Sequence, residues 1–138
     1  MTKNCSMFRV MTALTLPSIM VLCLATAAVA GDKPQIKFAS GANSASLKGE
    51  IQGMDCDIYP ITVKAGQTMQ VKVSNKHKLV LFHIQKPGKE EAYLPKAGKE
   101  DDATAWKGVL PADGTYKIIV GAMQGDDTHY TLDVQITK

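Results

Sequence analysis

The strongest constraint on the fold of this chain is a strict alternation of apolar and polar residues over residues 44–75, broken only by short glycine-containing turns. A period of two places every second side chain on one face of a β-strand. Gly66, between the second and third alternating segments, can adopt the positive φ that a tight reversal needs. We therefore predict three half-buried strands. Their core-facing positions are Leu47, Gly49 and Ile51, then Tyr59, Ile61 and Val63, then Met69, Val71 and Val73.

The rest of the chain after residue 30 has the same character. Short runs with a period of two or with two apolar faces occur at residues 35–39, 79–84, 116–120 and 130–136. No helical period and no internal repeat is present. These patterns predict an all-β domain, an antiparallel β-sandwich or flattened barrel of seven to eight strands. Residues 87–105 have no clear period, and a loop of that length in so small a domain is often functional.

The first 30 residues have the pattern of an export signal. Lys3 and Arg9 precede an apolar run, and the run ends at a small-x-small site that finishes at Ala30. Cleavage after Ala30 would leave residues 31–138 as a single domain in the periplasm. We predict no membrane anchor, because polar residues and a proline interrupt a run that is already short.

The charge balance of the predicted mature domain excludes some partners. Loss of Lys3 and Arg9 leaves 14 basic residues, all of them lysine, against 13 acidic residues. Because the basic and acidic residues are almost equal in number, the charge of the domain does not support nucleic-acid binding. The absence of arginine also removes the usual bidentate ligand for phosphate or carboxylate groups.

Neither metal binding nor a disulfide is predicted. His77, His83 and His129 show no ligand spacing, and Cys56 has no second cysteine within the predicted domain. We therefore expect Cys56 to be a single, packed thiol. Two acidic pairs offer fewer oxygens than the roughly six to eight that calcium requires, so we predict no metal and no cofactor. These pairs are Asp55 with Asp57, and Asp126 with Asp127.

Catalysis is also disfavoured. The chain contains no nucleophile elbow, no zincin motif and no glycine-rich phosphate loop before a helix. A glycosidase needs two carboxylates on either side of a cleft, and a domain of about 108 residues leaves little room for a cleft of substrate length. We predict a binding protein rather than an enzyme.

Four short motifs occur in a characteristic order. They are G-E-I-Q-G-M-D at residues 49–55, V-K-A-G-Q at 63–67, L-P-A-D-G-T-Y at 110–116 and Y-T-L-D-V at 130–134. Their order and spacing resemble the bacterial pre-peptidase C-terminal type of β-sandwich. Within that group, the chain looks like a periplasmic proteinaceous lysozyme inhibitor, most closely the inhibitor of invertebrate-type lysozyme, with goose-type inhibitors as near relatives. The resemblance covers nearly all residues after 30 and implies that a loop blocks the active cleft of a lysozyme.

The resemblance also implies which turn enters the cleft. Family members carry a serine-glycine-x-tyrosine key where this chain has Asp113, Gly114, Thr115 and Tyr116. Gly114 and Tyr116 match the key, Asp113 replaces the serine, and Thr115 offers an alternative hydroxyl. Structural roles would explain the two matching residues equally well, with Gly114 as a turn glycine and Tyr116 as a core tyrosine.

A second loop, residues 121–129, is the other candidate for lysozyme contact, through Gln124, Asp126, Asp127 and His129. Goose-type inhibitors carry arginines in the equivalent stretch, and their absence here favours the invertebrate-type interpretation. The two loops flank one strand at its opposite ends. Both can therefore reach a narrow cleft only if the inhibitor lies along it.

Two further hypotheses concern assembly and function. If Leu79 and Leu81 face the core, the alternate residues of the same strand face outward and form an apolar patch. A two-fold homodimer would bury that patch. A cover formed by residues 87–105 is the alternative. The residues of the predicted patch are Cys56, Ile58, Val80, Phe82 and Ile84. A stand-alone carbohydrate- or peptide-binding module and a structural or chaperone-like periplasmic protein remain open as functions.

Overall fold

The computed structural model describes residues 32–77, 79–123 and 127–138, so the predicted export signal lies outside the described residues. These residues form seven β-strands. They are β1 (Ser44–Ile51), β2 (Cys56–Val63), β3 (Thr68–Ser74), β4 (Val80–Gln85), β5 (Ala105–Val109), β6 (Gly114–Ala122) and β7 (Thr128–Thr137). Within the described ranges, no helix has the length and apolar character needed to span a membrane.

The strands form two antiparallel sheets. One sheet has four strands in the order β1-β7-β3-β5, and the other has three in the order β2-β6-β4. The sheets bury their facing sides against each other, which confirms the predicted β-sandwich with seven strands. The predicted phase of the alternation is correct for β2 and β3, where Tyr59, Ile61, Met69 and Val71 are at most 4% exposed.

The phase predicted for β4 is wrong. Val80, Phe82 and Ile84 are at most 2% exposed, because their partners on β6, such as Val120 opposite Phe82, face the core. Antiparallel neighbours that are directly opposite share a face of the sheet. These three residues therefore do not form the predicted outward apolar patch, and the described part of the chain gives the homodimer no support. Ile58 does lie on the outer face and is half-buried.

Cys56 departs from its prediction in one respect. It is buried, as expected, with 9% of its surface exposed. In the full chain it is also disulfide-bonded, so the expectation of a single thiol is wrong there. The two other cysteines, Cys5 and Cys23, belong to the predicted export signal and lie outside the described residues.

The open edges of the three-stranded sheet are covered by irregular chain. The segment predicted as a strand at residues 35–39 is not one. Instead, residues 32–36 follow β2 without forming a strand, with Lys33 N donating to Ile58 O at 2.9 Å and Ile36 N to Pro60 O at 2.8 Å. Pro60 lacks an N–H group and is tolerated because β2 is the outermost strand of its sheet.

Residues 87–105 cover the other edge, along β4. Ile84 N donates to Ala97 O and Leu94 N donates to Ile84 O, both at 2.9 Å. Leu94 and Ala97 are buried in the core cluster. Much of this loop is thus a structural cover, which explains how a long segment without strand periodicity can remain ordered.

A buried polar network joins the two sheets. Tyr59 on β2 and Tyr130 on β7 share a hydrogen bond of 2.6 Å between their hydroxyls, and Tyr130 donates to Asp57 Oδ2 at 2.5 Å. Lys33 Nζ lies 3.5 Å from Asp57 Oδ1. The Asp57 carboxylate, although only 5% exposed, therefore has partners for both oxygens. Burial raises the pKa of Tyr130 far above its ordinary value and also raises the pKa of Tyr59.

We expect Gly49→Ala to destabilise the protein by about 1–3 kcal/mol. Gly49 is paired with Tyr130, and a methyl group at Gly49 would overlap the phenol ring that the buried network holds in place. Urea unfolding measures the effect. Lys48→Ala, at the exposed neighbouring position, is the control and should change stability little. Equal stability of the two variants would show that the ring can move.

We also expect stability to fall at alkaline pH. In the unfolded chain a tyrosine loses its proton near pH 10, whereas folded Tyr130 keeps it. The folded state then binds more protons, so the free energy of unfolding falls above about pH 10, by up to about 1.4 kcal/mol per pH unit for this residue. Below pH 10 the contribution is complete. Urea unfolding between pH 8 and about pH 11 measures the effect. The free energy of unfolding should fall less steeply with pH for Tyr130→Phe than for the parent protein. Parallel curves would contradict the assignment of this pH dependence to Tyr130.

Candidate functional site

The candidate inhibitory turn, residues 110–114, is hydrogen-bonded to the turn between β2 and β3. Gly66 N donates to Leu110 O at 2.9 Å, and Leu110 N donates to Gln67 O at 2.8 Å. Ala65 N donates to Asp113 Oδ1 at 2.6 Å. The two turns therefore form one rigid end of the sandwich. The sequence predicted both turns but not that they are joined.

The Asp113 side chain has a structural role at this end. One carboxylate oxygen accepts the hydrogen bond from the backbone of Ala65, although the residue as a whole is exposed. An ionised carboxylate is a strong acceptor for a backbone N–H group. The residue that replaces the serine of the family key thus ties the two turns together.

Gly114 is required by its conformation and by its neighbour. Its φ of 139° lies in the region that L side chains rarely adopt, and a Cβ there would lie 2.8 Å from Cβ of Pro87. Pro87 belongs to the turn that follows β4. The glycine of the family key is therefore a structural residue, which packs a third turn against this end of the sandwich.

Tyr116 is a core residue. It is completely buried, and its hydroxyl donates to Ala112 O at 2.9 Å, across the turn from its own strand. The structure thus agrees with the interpretation of Tyr116 as a core tyrosine. The side chain is not available to a partner in this conformation.

Thr115 is the exposed member of the four residues. Its Oγ1 lies 2.8 Å from Oγ1 of Thr62 on β2, and Gln35 Nε2 donates to the same Thr62 oxygen at 2.8 Å. Lys117 follows two residues later on the same outer face and is exposed. These side chains supply hydroxyl, amide and ammonium donors next to the turn. The sequence did not reveal the part of Thr62 and Gln35, because the pairing of β2 with β6 is a non-local contact.

The second predicted loop lies at the other end of β6. Asp127 Oδ1 accepts from Gly53 N at 2.9 Å, which ties this loop to the turn between β1 and β2. His129 is exposed on the four-stranded sheet, with Nδ1 3.9 Å from Glu50 Oε2. Gln124 and Asp126 lie outside the described residues.

The structure does not bring the two predicted loops together. β6 has nine residues from Gly114 to Ala122, and at about 3.4 Å per residue its ends are roughly 27 Å apart. The candidate site is therefore the end that carries Asp113 and Thr115. Asp127 and His129 belong to a separate surface.

The histidines do not form a metal centre within the described part of the chain. No group of three or more His, Cys, Asp or Glu side chains there is arranged to hold an ion. His83 is half-buried on β4, with its ring centroid 5.9 Å from that of Tyr93 in an edge-on contact. Burial, together with the charge of Lys99, lowers the pKa of His83 below its ordinary value.

Solved structures with this fold include periplasmic lysozyme inhibitors. The chain is similar to Aeromonas hydrophila PliG, a periplasmic inhibitor of g-type lysozyme, with 36% identity and a TM-score of 0.64; the match covers 78% of this chain and 100% of that one. Salmonella Typhimurium PliG, described in the same words, matches with 26% identity and a TM-score of 0.60, covering 78% of this chain and 98% of that one.

A third structure shows the fold alone. The pre-peptidase C-terminal domain of Bacillus anthracis collagenase matches with 18% identity and a TM-score of 0.57, covering 75% of this chain and 96% of that one. No protein-family model and no curated protein sequence matches the chain.

The chain belongs to the PliG family of periplasmic lysozyme inhibitors. The predicted family of periplasmic inhibitors and the pre-peptidase-like fold are thereby confirmed. The preference for invertebrate-type lysozyme is not supported, and the goose-type alternative fits better. The lack of arginine in residues 121–129 therefore did not discriminate between the two lysozyme classes.

We expect Tyr116→Phe to lower the free energy of unfolding by about 1 kcal/mol, because the variant loses the hydrogen bond to Ala112 and keeps the buried ring. Thr115→Ala is the matched control, since it removes a hydroxyl from an exposed position one residue away. It should change stability by less than about 0.5 kcal/mol. Urea unfolding decides between the two positions, and an unchanged stability of Tyr116→Phe would contradict a structural role for its hydroxyl.

Proposed function

We propose that this chain inhibits goose-type lysozyme in the periplasm. The observation that carries the proposal is the 36% identity to an inhibitor of g-type lysozyme over the whole length of that inhibitor. A second similar structure is also an inhibitor of g-type lysozyme. The invertebrate-type interpretation has no comparable support.

The chemistry of the target suits the donors beside the turn. A glycoside hydrolase holds a carboxylic acid and a carboxylate in a groove shaped for sugar. The exposed Thr115 hydroxyl and the Lys117 ammonium group can donate hydrogen bonds to those carboxyl groups. One oxygen of the Asp113 carboxylate accepts from Ala65 N, which directs that group toward the neighbouring turn.

The rigidity of the turn supports its role as the part that enters the cleft. Three hydrogen bonds join it to the neighbouring turn, and Pro87 packs on Gly114. A loop that is already ordered in the free protein loses little conformational entropy on binding. Blocking the cleft by this end then requires no rearrangement of the sandwich.

A panel of lysozymes tests the proposal. We expect goose-type lysozyme to lose activity at nanomolar concentrations of the protein, which corresponds to a binding free energy of roughly −12 kcal/mol. Invertebrate-type and chicken-type lysozymes should need much higher concentrations. The hypothesis of inhibition is wrong if no class loses activity at large excess, and the goose-type assignment is wrong if another class is inhibited more tightly.

Two variants locate the contact on the protein. Thr115→Ala should raise the inhibition constant by about tenfold to about 150-fold, since a hydrogen bond to a charged group is lost. His129→Ala, at the opposite end of the sandwich, is the control and should leave inhibition unchanged. If His129→Ala weakens inhibition and Thr115→Ala does not, the lysozyme contact lies at the loop before β7 instead.

A further inference from the structure

A second surface is present at the open edge of β5, next to the candidate turn. Trp106 stands in a groove of about 490 Å³ that extends from Lys86 at the end of β4 to Pro111 at the start of the turn. Val109, which lines the groove, is 65% exposed and is thus one of the few large apolar side chains that the fold leaves in solvent. Sites for small ligands have volumes of about 300–1,000 Å³ and combine apolar walls with a few polar groups.

The indole of Trp106 is held in a fixed position. Its Nε1 donates to Pro95 O at 2.8 Å, and one edge of the ring lies over Gly108, where a Cβ would be 2.7 Å from Cζ2. The side chain packs against the core cluster and is only half-buried. The indole N–H group is already used within the chain, so the ring offers a ligand a rigid apolar surface rather than a hydrogen bond.

All the charged residues that line the groove are lysines. They are Lys86, Lys96 and Lys107. The predicted mature domain has almost equal numbers of basic and acidic residues, so this grouping of one sign is a local feature. An ammonium group is a compact charge that suits dispersed carboxylates.

Lys96 also has an unusual backbone. Its φ is 64°, a left-handed conformation that glycine or asparagine adopts with less strain. Residues in such conformations cluster at ligand sites. Glu91 and Asp102 of the same loop also have a positive φ, and Lys96 is the one of the three that lines the groove.

We propose that this groove binds an anionic glycan, namely the peptide-substituted glycan strands of the periplasmic cell wall. The sugar ring would pack on Trp106, and the carboxylates of the peptide would face Lys86 and Lys96. Membership of a periplasmic family places the chain beside this polymer. A neutral sugar would make no use of Lys86 and Lys96, and a purely acidic peptide would make no use of the indole. The proposal does not depend on inhibition of lysozyme.

The fluorescence of Trp106 tests the proposal directly, because it is the only tryptophan of the chain. Titration with a soluble disaccharide-peptide fragment of peptidoglycan should change its emission with saturation. The neutral N-acetylglucosamine tetramer and the free peptide should bind at least about tenfold more weakly, since each lacks one half of the recognised chemistry. Raising NaCl from about 0.05 to about 0.5 M should weaken binding of the fragment.

Charge variants complete the test. Lys96→Asn combined with Lys86→Gln should raise the dissociation constant of the fragment by about fivefold to tenfold. Asparagine tolerates the left-handed backbone, so the fold should be preserved. Lys48→Gln, on the strand at the far edge of the same sheet, is the matched control and should bind as the parent does.

Three results would overturn the proposal. The first is no change of emission at millimolar fragment, and the second is equal binding of the neutral tetramer. The third is a double variant that inhibits lysozyme less well but binds the fragment normally, which would assign the groove to the lysozyme interface. A failure to inhibit any lysozyme leaves the fluorescence result unaffected, so the two proposals fail separately.

Discussion

The hydrogen-bonded group of Tyr59, Tyr130 and Asp57 is the interaction on which the arrangement of the two sheets depends. A buried carboxylate without partners would cost several kcal/mol, and here Tyr130 and Lys33 satisfy it. The group joins β2 of one sheet to β7 of the other, so the sheets cannot slide without breaking it. Because polar groups must meet at defined distances whereas apolar side chains can repack, this contact specifies one relative position of the sheets.

The other end of the sandwich is held in a different way. There the hydrogen bonds run between turns, and the side chain of Asp113 takes part in them. Tyr116 fastens the end of β6 to Ala112 from inside the core. The rigid turn is thus a consequence of packing and of backbone hydrogen bonds, and only outward-facing groups such as Thr115 are left for a partner. A site on such a support keeps its geometry before binding.

Periodicity predicted the fold wherever one face of a strand is polar. In β3 and β7 the alternation marks the buried face, because a one-residue slip would expose every apolar side chain. In β4 both faces are apolar, so Phe82 could be assigned to either side, and only pairing with β6 decides that it faces the core. The candidate turn was located by its resemblance to a family. The separate roles of its residues, buried Tyr116 against exposed Thr115, depend on non-local contacts that no local pattern encodes.

The two proposed surfaces adjoin each other, and their chemistry is related. Pro111 lines the groove of Trp106, and Asp113 follows two residues later, within about 7 Å along the chain. A glycan strand in the groove would therefore pass close to the turn that is proposed to enter the cleft of lysozyme. Lysozyme, the proposed target, cleaves glycan strands of this kind, so binding to the strand would raise the effective concentration of the chain where that enzyme works. Weak binding in the groove would suffice for this effect, because the second contact becomes intramolecular once the first is made.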